Sequence, residues 1–338
     1  MASPVIGALG TVLRWKGDRA MTDGLVSTVI PVFNRGGMLR EAVRSVLNQS
    51  WPSIEVVIVD DGSTDGTAEA AAALAGANVE KVRVVTQANG GVGAARQAGL
   101  EATSGEFVQF LDSDDLLLPD KFLTQVTALR ADPEAGISYG KTRTNEFGRM
   151  SLTPVQRTGV ALRNIFPELL RSRLWDTSTP LYRRSALDRI GAWPRSRQLE
   201  DWQFDAQAGA AGIKLNYVDA FVSETRNHDE PRLCHAWMSD SRATKDRVIA
   251  FMRVYEYATT AGVERESPEM QNFARSMFWM ARTAGATGFV GEAQSLFSTA
   301  RSTELNPGWD YRLVGWCART FGWRFAARLS HLAERVAK

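Results

Sequence analysis

In the N-terminal part of the chain, short apolar runs rich in β-branched residues alternate with stretches whose apolar residues recur every three or four positions. Residues 25 to 33, Leu-Val-Ser-Thr-Val-Ile-Pro-Val-Phe, predict a buried strand. Residues 37 to 49, with Met38, Ala42, Val43, Val46 and Leu47 at helical spacing, predict the helix that follows it. A second strand over 54 to 60 runs into the turn Asp61-Gly62-Ser63-Thr64-Asp65-Gly66 and an alanine-rich helix from Thr67 to Ala75. Residues 82 to 85 predict a third strand, Gly93 to Ala102 a third helix, 106 to 111 a fourth strand, and a further helix runs from beyond Pro119 to about Arg130. Such alternation implies an α/β fold, a mostly parallel sheet with helices on both faces. Ligands of such sheets gather at the carboxyl ends of the strands.

Beyond about residue 135 the rhythm shortens. The pattern predicts a strand over Gly136 to Thr144, a helix near 161 to 171, a helix from Trp202 to Ala210 and a strand from Leu215 to Val222. From residue 240 it is almost wholly helical, with breaks near Ser267-Pro268, Gly285 to Gly291 and Pro307-Gly308. Residues 240–338 therefore read as a C-terminal helical appendage. Its segment Glu292 to Arg301, followed by Leu305-Asn306-Pro307, suits a helical hairpin. Residues 1–23 read as an N-terminal extension, with Met21 available as a second start.

Composition adds mainly exclusions. Hydrophobic residues make up 44% and charged residues 23% of 338, as in a folded soluble protein. Lys plus Arg number 40 against 38 Asp plus Glu, so no global field draws nucleic acid. Cys234 and Cys317 share no metal-ligand spacing and suit a reducing cytoplasm, the expected location. The apolar stretch Val5 to Leu13 has no basic lead and no cleavage site, and no run approaches the ~20 residues of a membrane span.

Three segments carry candidate chemistry. Asp112, Asp114 and Asp115 crowd three carboxylates directly after a buried strand. Their repulsion calls for a hard divalent cation such as Mg²⁺ or Mn²⁺, which takes oxygen ligands and shares itself between carboxylates and phosphates. An acidic helix start is the alternative. Asp60 ends a strand where its carboxylate can meet a nucleobase or ribose, or simply cap a turn. The segment Asn89-Gly90-Gly91-Val92-Gly93-Ala94-Ala95-Arg96 opens a helix with glycines that let a diphosphate approach, and Arg96 adds a fork of donors. Neither a Walker lysine pattern nor G-x-G-x-x-G is present, which disfavours a P-loop and a dinucleotide fold.

In order and spacing, Val26 to Arg35, the Asp60 to Asp65 turn, Gly91 to Arg96, Asp112 to Asp115 and Glu200-Asp201-Trp202 resemble the inverting family 2 glycosyltransferases of GT-A fold. The resemblance covers roughly residues 25 to 235. It implies a Rossmann-like GT-A domain over 24–239, with a nucleotide-sugar half at 24–130 and an acceptor half at 131–239. It implies that Pro31, Phe33 and Arg35 border the nucleobase pocket, that Asp60 contacts the base, and that Arg96 lies near base or diphosphate. Asp112 would stand at the ribose and metal shell, and Asp114 would ligate Mn²⁺ or Mg²⁺ directly. Asp201 would be the catalytic base, supported by Glu200. His228 is nominated as a further metal ligand, with His235 competing for that role. Trp175, Asp176, Thr177 to Pro180, Trp193 and Trp202 fall where the family builds its acceptor pocket, although core packing explains the tryptophans equally well. Gln97 departs from the family, which commonly has Asn after the arginine.

The implied activity is transfer of a sugar from a nucleotide diphosphate donor, a UDP-sugar first among them, to a hydroxyl on a glycan, glycolipid or small molecule. Three readings stay open beside cell-surface glycan synthesis. These are a natural-product glycosyltransferase, a nucleotidyltransferase, and a catalytically silent nucleotide-sugar-binding protein. The second should carry a glycine-rich basic loop after the first strand, where this chain has Pro31-Val32-Phe33-Asn34-Arg35. The third should have lost Asp114 or Asp201, and both are present. Between Tyr311 and Lys338 stand six basic residues, Arg312, Arg319, Arg324, Arg328, Arg335 and Lys338, against Glu334 alone. There Phe321, Phe325, Leu329, Leu332 and Val336 recur at helical spacing. That stripe suits either packing on the protein itself or peripheral contact with the inner face of a membrane. A homodimer is left open.

Overall fold

A computed structural model describes residues 5–6, 12–13, 21–228 and 241–326. Within them two compact units separate. Arg173–Arg195 and the stretch from Ala211 join everything up to Ile165 in the first, while Phe166–Ser172 and Ser196–Ala210 join the C-terminal helices in the second.

The first unit holds a small antiparallel pair, β1 (Val5–Ile6) with β2 (Val12–Leu13), and a nine-stranded sheet. In chain order its elements are β3 (Thr22–Val32), α1 (Gly36–Leu47), β4 (Ile54–Asp60), α2 (Thr67–Ala77), β5 (Val82–Thr86) and α3 (Val92–Glu101). There follow β6 (Gly105–Phe110), β7 (Leu116–Leu117), α4 (Lys121–Ala131), β8 (Ala135–Glu146), β9 (Arg149–Ser151), β10 (Leu181–Arg183), α5 (Arg184–Ile190) and β11 (Lys214–Asn227). The strand order is β5-β4-β3-β6-β10-β8-β11-β7, with β9 paired to β8. Strands β5, β4, β3 and β6 are parallel, and β8 with β11 is parallel. Between these blocks β10 runs antiparallel to both β6 and β8, so the carboxyl ends of β6, β8 and β11 lie along one edge.

The period of two explains the double-sided burial of the central strands. Val26, Ile30, Val56 and Ile58 form one core with Leu39, Ala42, Val43 and Val46 of α1. On alternate positions, Val29 and Val59 meet α3 at Gly99, where a Cβ would stand 2.2 Å from Val29 Cγ1. Only glycine lets that helix seat so closely.

The helix expected near 161–171 does not form. Leu162 N donates to the Tyr139 hydroxyl at 2.6 Å, Leu215 N donates to Arg163 O at 3.0 Å, and only a single 3₁₀ turn, Glu168–Leu170, follows Pro167. Backbone groups that a helix would have paired internally are taken by β8 and β11. Strand β11 extends to Asn227, well past the expected Val222, and the helix expected from Trp202 begins at Glu200.

Lys121, the first residue of α4, is 1% exposed and donates Nζ–H to Thr179 O at 2.6 Å. Burial pushes its ammonium well below the ordinary lysine value of 10.5. Above 10.5 both folded and unfolded chains hold a neutral lysine. As pH falls below it the unfolded chain binds the proton first, so stability is lost. Lys121→Met is therefore expected to stabilise the fold at neutral pH by on the order of 1 kcal/mol, Gln125 still donating to Thr179 O. The gap should narrow as pH climbs toward 10.5. Denaturant unfolding across a pH series checks this, and a gap independent of pH refutes it.

The second unit contains the 3₁₀ turn, α6 (Glu200–Ala210), α7 (Ser241–Thr260), α8 (Pro268–Thr287), α9 (Val290–Thr303) and α10 (Trp309–Phe321). The breaks fall where turn chemistry lies. Ser267 accepts Met270 N as the cap of α8, Pro268 occupies its first turn, and Gly288 closes it in a left-handed conformation. Phe278, Phe297, Tyr311 and Trp323 pack as a ring cluster at its centre. No helix among the described residues is long and apolar enough to cross a membrane.

Candidate active site

Three loops at the carboxyl edge of β3, β4 and β6 meet the end of β11. After β3, Asn34 takes a left-handed φ of 51°, which asparagine tolerates, and exchanges hydrogen bonds with the β4 turn: Thr64 N donates to its Oδ1 at 2.8 Å. Asp60 is buried, its Oδ1 accepting Ser63 N at 3.0 Å. Asp61, also buried, binds the loop after β5 through Gln87 Nε2, Gly90 N and Gly91 N at 2.7 to 2.8 Å. Gly62 makes that approach feasible, since at φ +78° an added Cβ would stand 3.0 Å from Asn89 N.

The carboxylates after β6 are individually engaged. Asp114 Oδ2 accepts from Arg35 at 2.7 Å and lies 3.0 Å from His228 Nε2. Register brings the end of β11 to Asp114: β7 pairs antiparallel with β11, Leu116 opposite Glu224, and continuing that register sets Asp114 opposite Arg226, two residues before His228. Arg226 Nε duly donates to Asp114 O at 2.6 Å, while its guanidinium also bonds Glu41. Asp112 Oδ1 accepts from Arg96 at 2.7 Å. Arg96 is 2% exposed, reaches Thr177 Oγ1 at 3.4 Å and lies 4.8 Å from the Trp193 ring centroid, a cation–π arrangement. Gln97, the departure from the family pattern, accepts Trp193 N at 3.0 Å and so fixes that ring's backbone.

Asp115 is buried and accepts Ser178 Oγ–H at 2.8 Å. Burial, followed by the charges of Asp114, Asp112 and Asp176, pushes its carboxyl well above the usual range. Asp176 in turn accepts from Gln156 at 2.6 Å and from Thr225 at 3.0 Å. Asp112, Asp114 and Asp176 thus crowd negative charge around one buried carboxyl.

A divalent cation fits two of these groups. Adjacent ligands of an octahedral ion bound at about 2.1 Å stand about 3 Å apart, the spacing of Asp114 Oδ2 and His228 Nε2. Among the described residues, the buried His228 Nδ1 has no hydrogen-bond partner, and a proton there leaves Nε2 free to coordinate. No group of three or more His, Cys, Asp or Glu is assembled as a metal cage among the described residues, so the remaining ligands would come from phosphate and water. His235 lies outside the described residues.

Of the other residues singled out from sequence, Pro31 is buried in β3 and Phe33 is 46% exposed beyond it. Arg35, expected to border the nucleobase pocket, pairs with Asp114. Trp175 is a core side chain 5.0 Å from the Tyr139 ring, and Trp193 packs edge-on against Phe110. Glu200 and Asp201 open α6 in the second unit, Asp201 Oδ1 accepting Trp202 N at 2.8 Å. Trp202 packs edge-on against Phe251 and Phe273 of the same unit. Sequence reasoning missed the bridging parts played by Asp61, Asp115 and Arg226. The first two sit inside motifs already noted, and Arg226 stands two residues before His228.

Known proteins share the sequence pattern and the fold of this chain. The family model Glycosyl transferase family 2 matches residues 27–190. The uncharacterized glycosyltransferase YibD of Escherichia coli K12 is 37% identical over 107 residues, 32% of this chain and 31% of that protein. This chain spans about a third or less of the length of that relative and of a similar one from Rickettsia conorii. In fold it is similar to Staphylococcus aureus TarS 1–349, solved in complex with UDP, at TM-score 0.68 and 18% identity, covering 93% of this chain and 92% of that one. The mannosyltransferase PcManGT of Pyrobaculum calidifontis, solved with GDP-Man and Mn²⁺, aligns at TM-score 0.53 and 18% identity over 91% of this chain and 86% of that one. Through residues 27–190 the chain belongs to glycosyl transferase family 2, with the GT-A fold.

Proposed function

We propose that this protein is a metal-dependent inverting glycosyltransferase that moves a sugar from a nucleotide diphosphate, a UDP-sugar, to a hydroxyl acceptor in the synthesis of a surface glycan or glycoconjugate. The observation that carries the reading is the meeting of Asp114, His228 and Arg35 beside the Asp112–Arg96 pair at the carboxyl edge of the sheet. The family's nucleotide-sugar chemistry, and the UDP held by TarS, favour that donor.

In this reading Pro31 and Phe33 border the base and Asp60 hydrogen-bonds it. Arg96, locked by Asp112 and Trp193, presents a preorganised guanidinium to the donor, with Asp112 toward the ribose. Arg35 borders the base as well, held by its ion pair with Asp114. Asp114 and His228 would hold a divalent ion, which when bound supplies positive charge to the departing diphosphate. Asp201, with Glu200 beside it, takes the proton of the acceptor hydroxyl as its oxygen attacks the anomeric carbon opposite the leaving group. A single displacement of that kind inverts the configuration. Trp193 and the Asp176 to Pro180 segment border the acceptor side.

Thermal unfolding with nucleoside diphosphates tests the reading. UDP with Mn²⁺ should raise the melting temperature, by the equivalent of about 2.7 kcal/mol at a hundredfold excess over Kd, and chelation should remove the gain. If no nucleoside diphosphate stabilises the protein with or without Mn²⁺, the proposal is wrong.

A further inference from the structure

In the second unit, one surface is crowded with exposed rings. At 100° per residue, α10 turns Tyr311, Val314 and Cys317 inward, where they are buried. Its outward arc carries Trp309, Arg312, Leu313, Trp316, Arg319 and Thr320. Trp309 is 71% exposed and Trp316 53%, large values for a residue type that is usually well buried. Past the helix the patch continues through the exposed Phe321 and Phe325. Their rings extend a chain from Trp316 with centroid separations of 5.5 and 4.9 Å. The stripe expected from sequence is met here by these two phenylalanines, and its other members, Leu329, Leu332 and Val336, lie outside the described residues.

The charges around the rings have one sign. Arg312, Arg319 and Arg324 are exposed, whereas the sole acid of α10, Asp310, is bonded to Arg275. A contiguous apolar patch of this kind marks an interaction surface. Its chemistry selects the occupant: indole rings favour the headgroup level of a bilayer, and arginines beside them meet anionic lipid phosphates. A second copy of this chain suits it less, because a two-fold contact through this face would set arginines against arginines. We propose that the outer face of α10, with Phe321 and Phe325, docks on an anionic lipid surface.

Cosedimentation of the full chain with vesicles decides the matter. Vesicles of equal parts phosphatidylcholine and phosphatidylglycerol should bring the protein down, and phosphatidylcholine alone should recover far less. Combining Trp309→Ser with Trp316→Ser should weaken partition about tenfold or more, through loss of interfacial apolar contact. Arg312→Gln with Arg319→Gln should weaken it on the order of tenfold at low salt, less as salt screens the field. All four side chains are exposed, so melting temperatures should match the parent. Failure of the parent to bind mixed vesicles overturns the proposal, as does binding by either double variant at the parent's level. So does a parent dimer, seen by light scattering, that the tryptophan variant splits while vesicle recovery stays the same; that result would give the face to a second copy.

Discussion

Asp201→Asn is expected to lower turnover by roughly 10²- to 10⁴-fold while leaving UDP-sugar affinity unchanged. The amide keeps the shape of the carboxylate and can still accept Trp202 N, so the start of α6 should persist. What it loses is the capacity to take a proton from a weakly nucleophilic hydroxyl. Initial rates with saturating donor, together with calorimetric titration of the donor, separate the two quantities. Turnover within a few-fold of the parent would remove Asp201 as the base. A matched loss of donor affinity would make it a binding residue instead.

Asp114→Asn should behave differently. Asp114 is 15% exposed at its side chain and engages Arg35 and His228 through one oxygen, so neutralising it leaves two cationic or donor groups without their shared anion. Mn²⁺-dependent stabilisation by UDP is expected to vanish, and turnover to fall by on the order of 10²-fold or more, since a catalytic metal contributes several kcal/mol. Chelator should then have no further effect on the variant. Mn²⁺-dependent UDP binding that survives the substitution would show that the ion, if bound, sits elsewhere. The two variants are distinguishable because only the second should lose the donor.

Local chemistry made much of this arrangement legible. Each of the four β-α steps from β3 to α4 follows from a period of two changing to a period near four, and Asp60 and Asp112 to Asp115 stand at strand ends for that reason. Ser267-Pro268 and Gly288 mark the ends of α8 because capping and left-handed conformations are properties of single residues. Beyond residue 135 such signals fail. Strand β10 has three residues and β7 two, too few for any period to show, yet β10 joins the two parallel blocks and β7 sets the register that brings β11 to Asp114. Residues 161–171 looked helical because their apolar spacing allowed it, but hydrogen bonds to the Tyr139 hydroxyl of β8 and to the backbone of β11 prevailed.

By itself, then, the amino-acid order determined which elements form in the α/β half, where its acidic and glycine-rich turns lie, and which family they resemble. These properties depend on neighbours a few positions apart. Only the tertiary structure decided the partners: Arg35 on Asp114, 79 residues away, Arg96 between Asp112 and Trp193, and His228 at the end of a strand whose reach exceeded its pattern. It also decided that Trp175 and Trp202 are buried against other rings and that Trp309 and Trp316 are exposed. The reason is that ion pairing and burial depend on distance in space, which strand register and helix rotation set and composition does not.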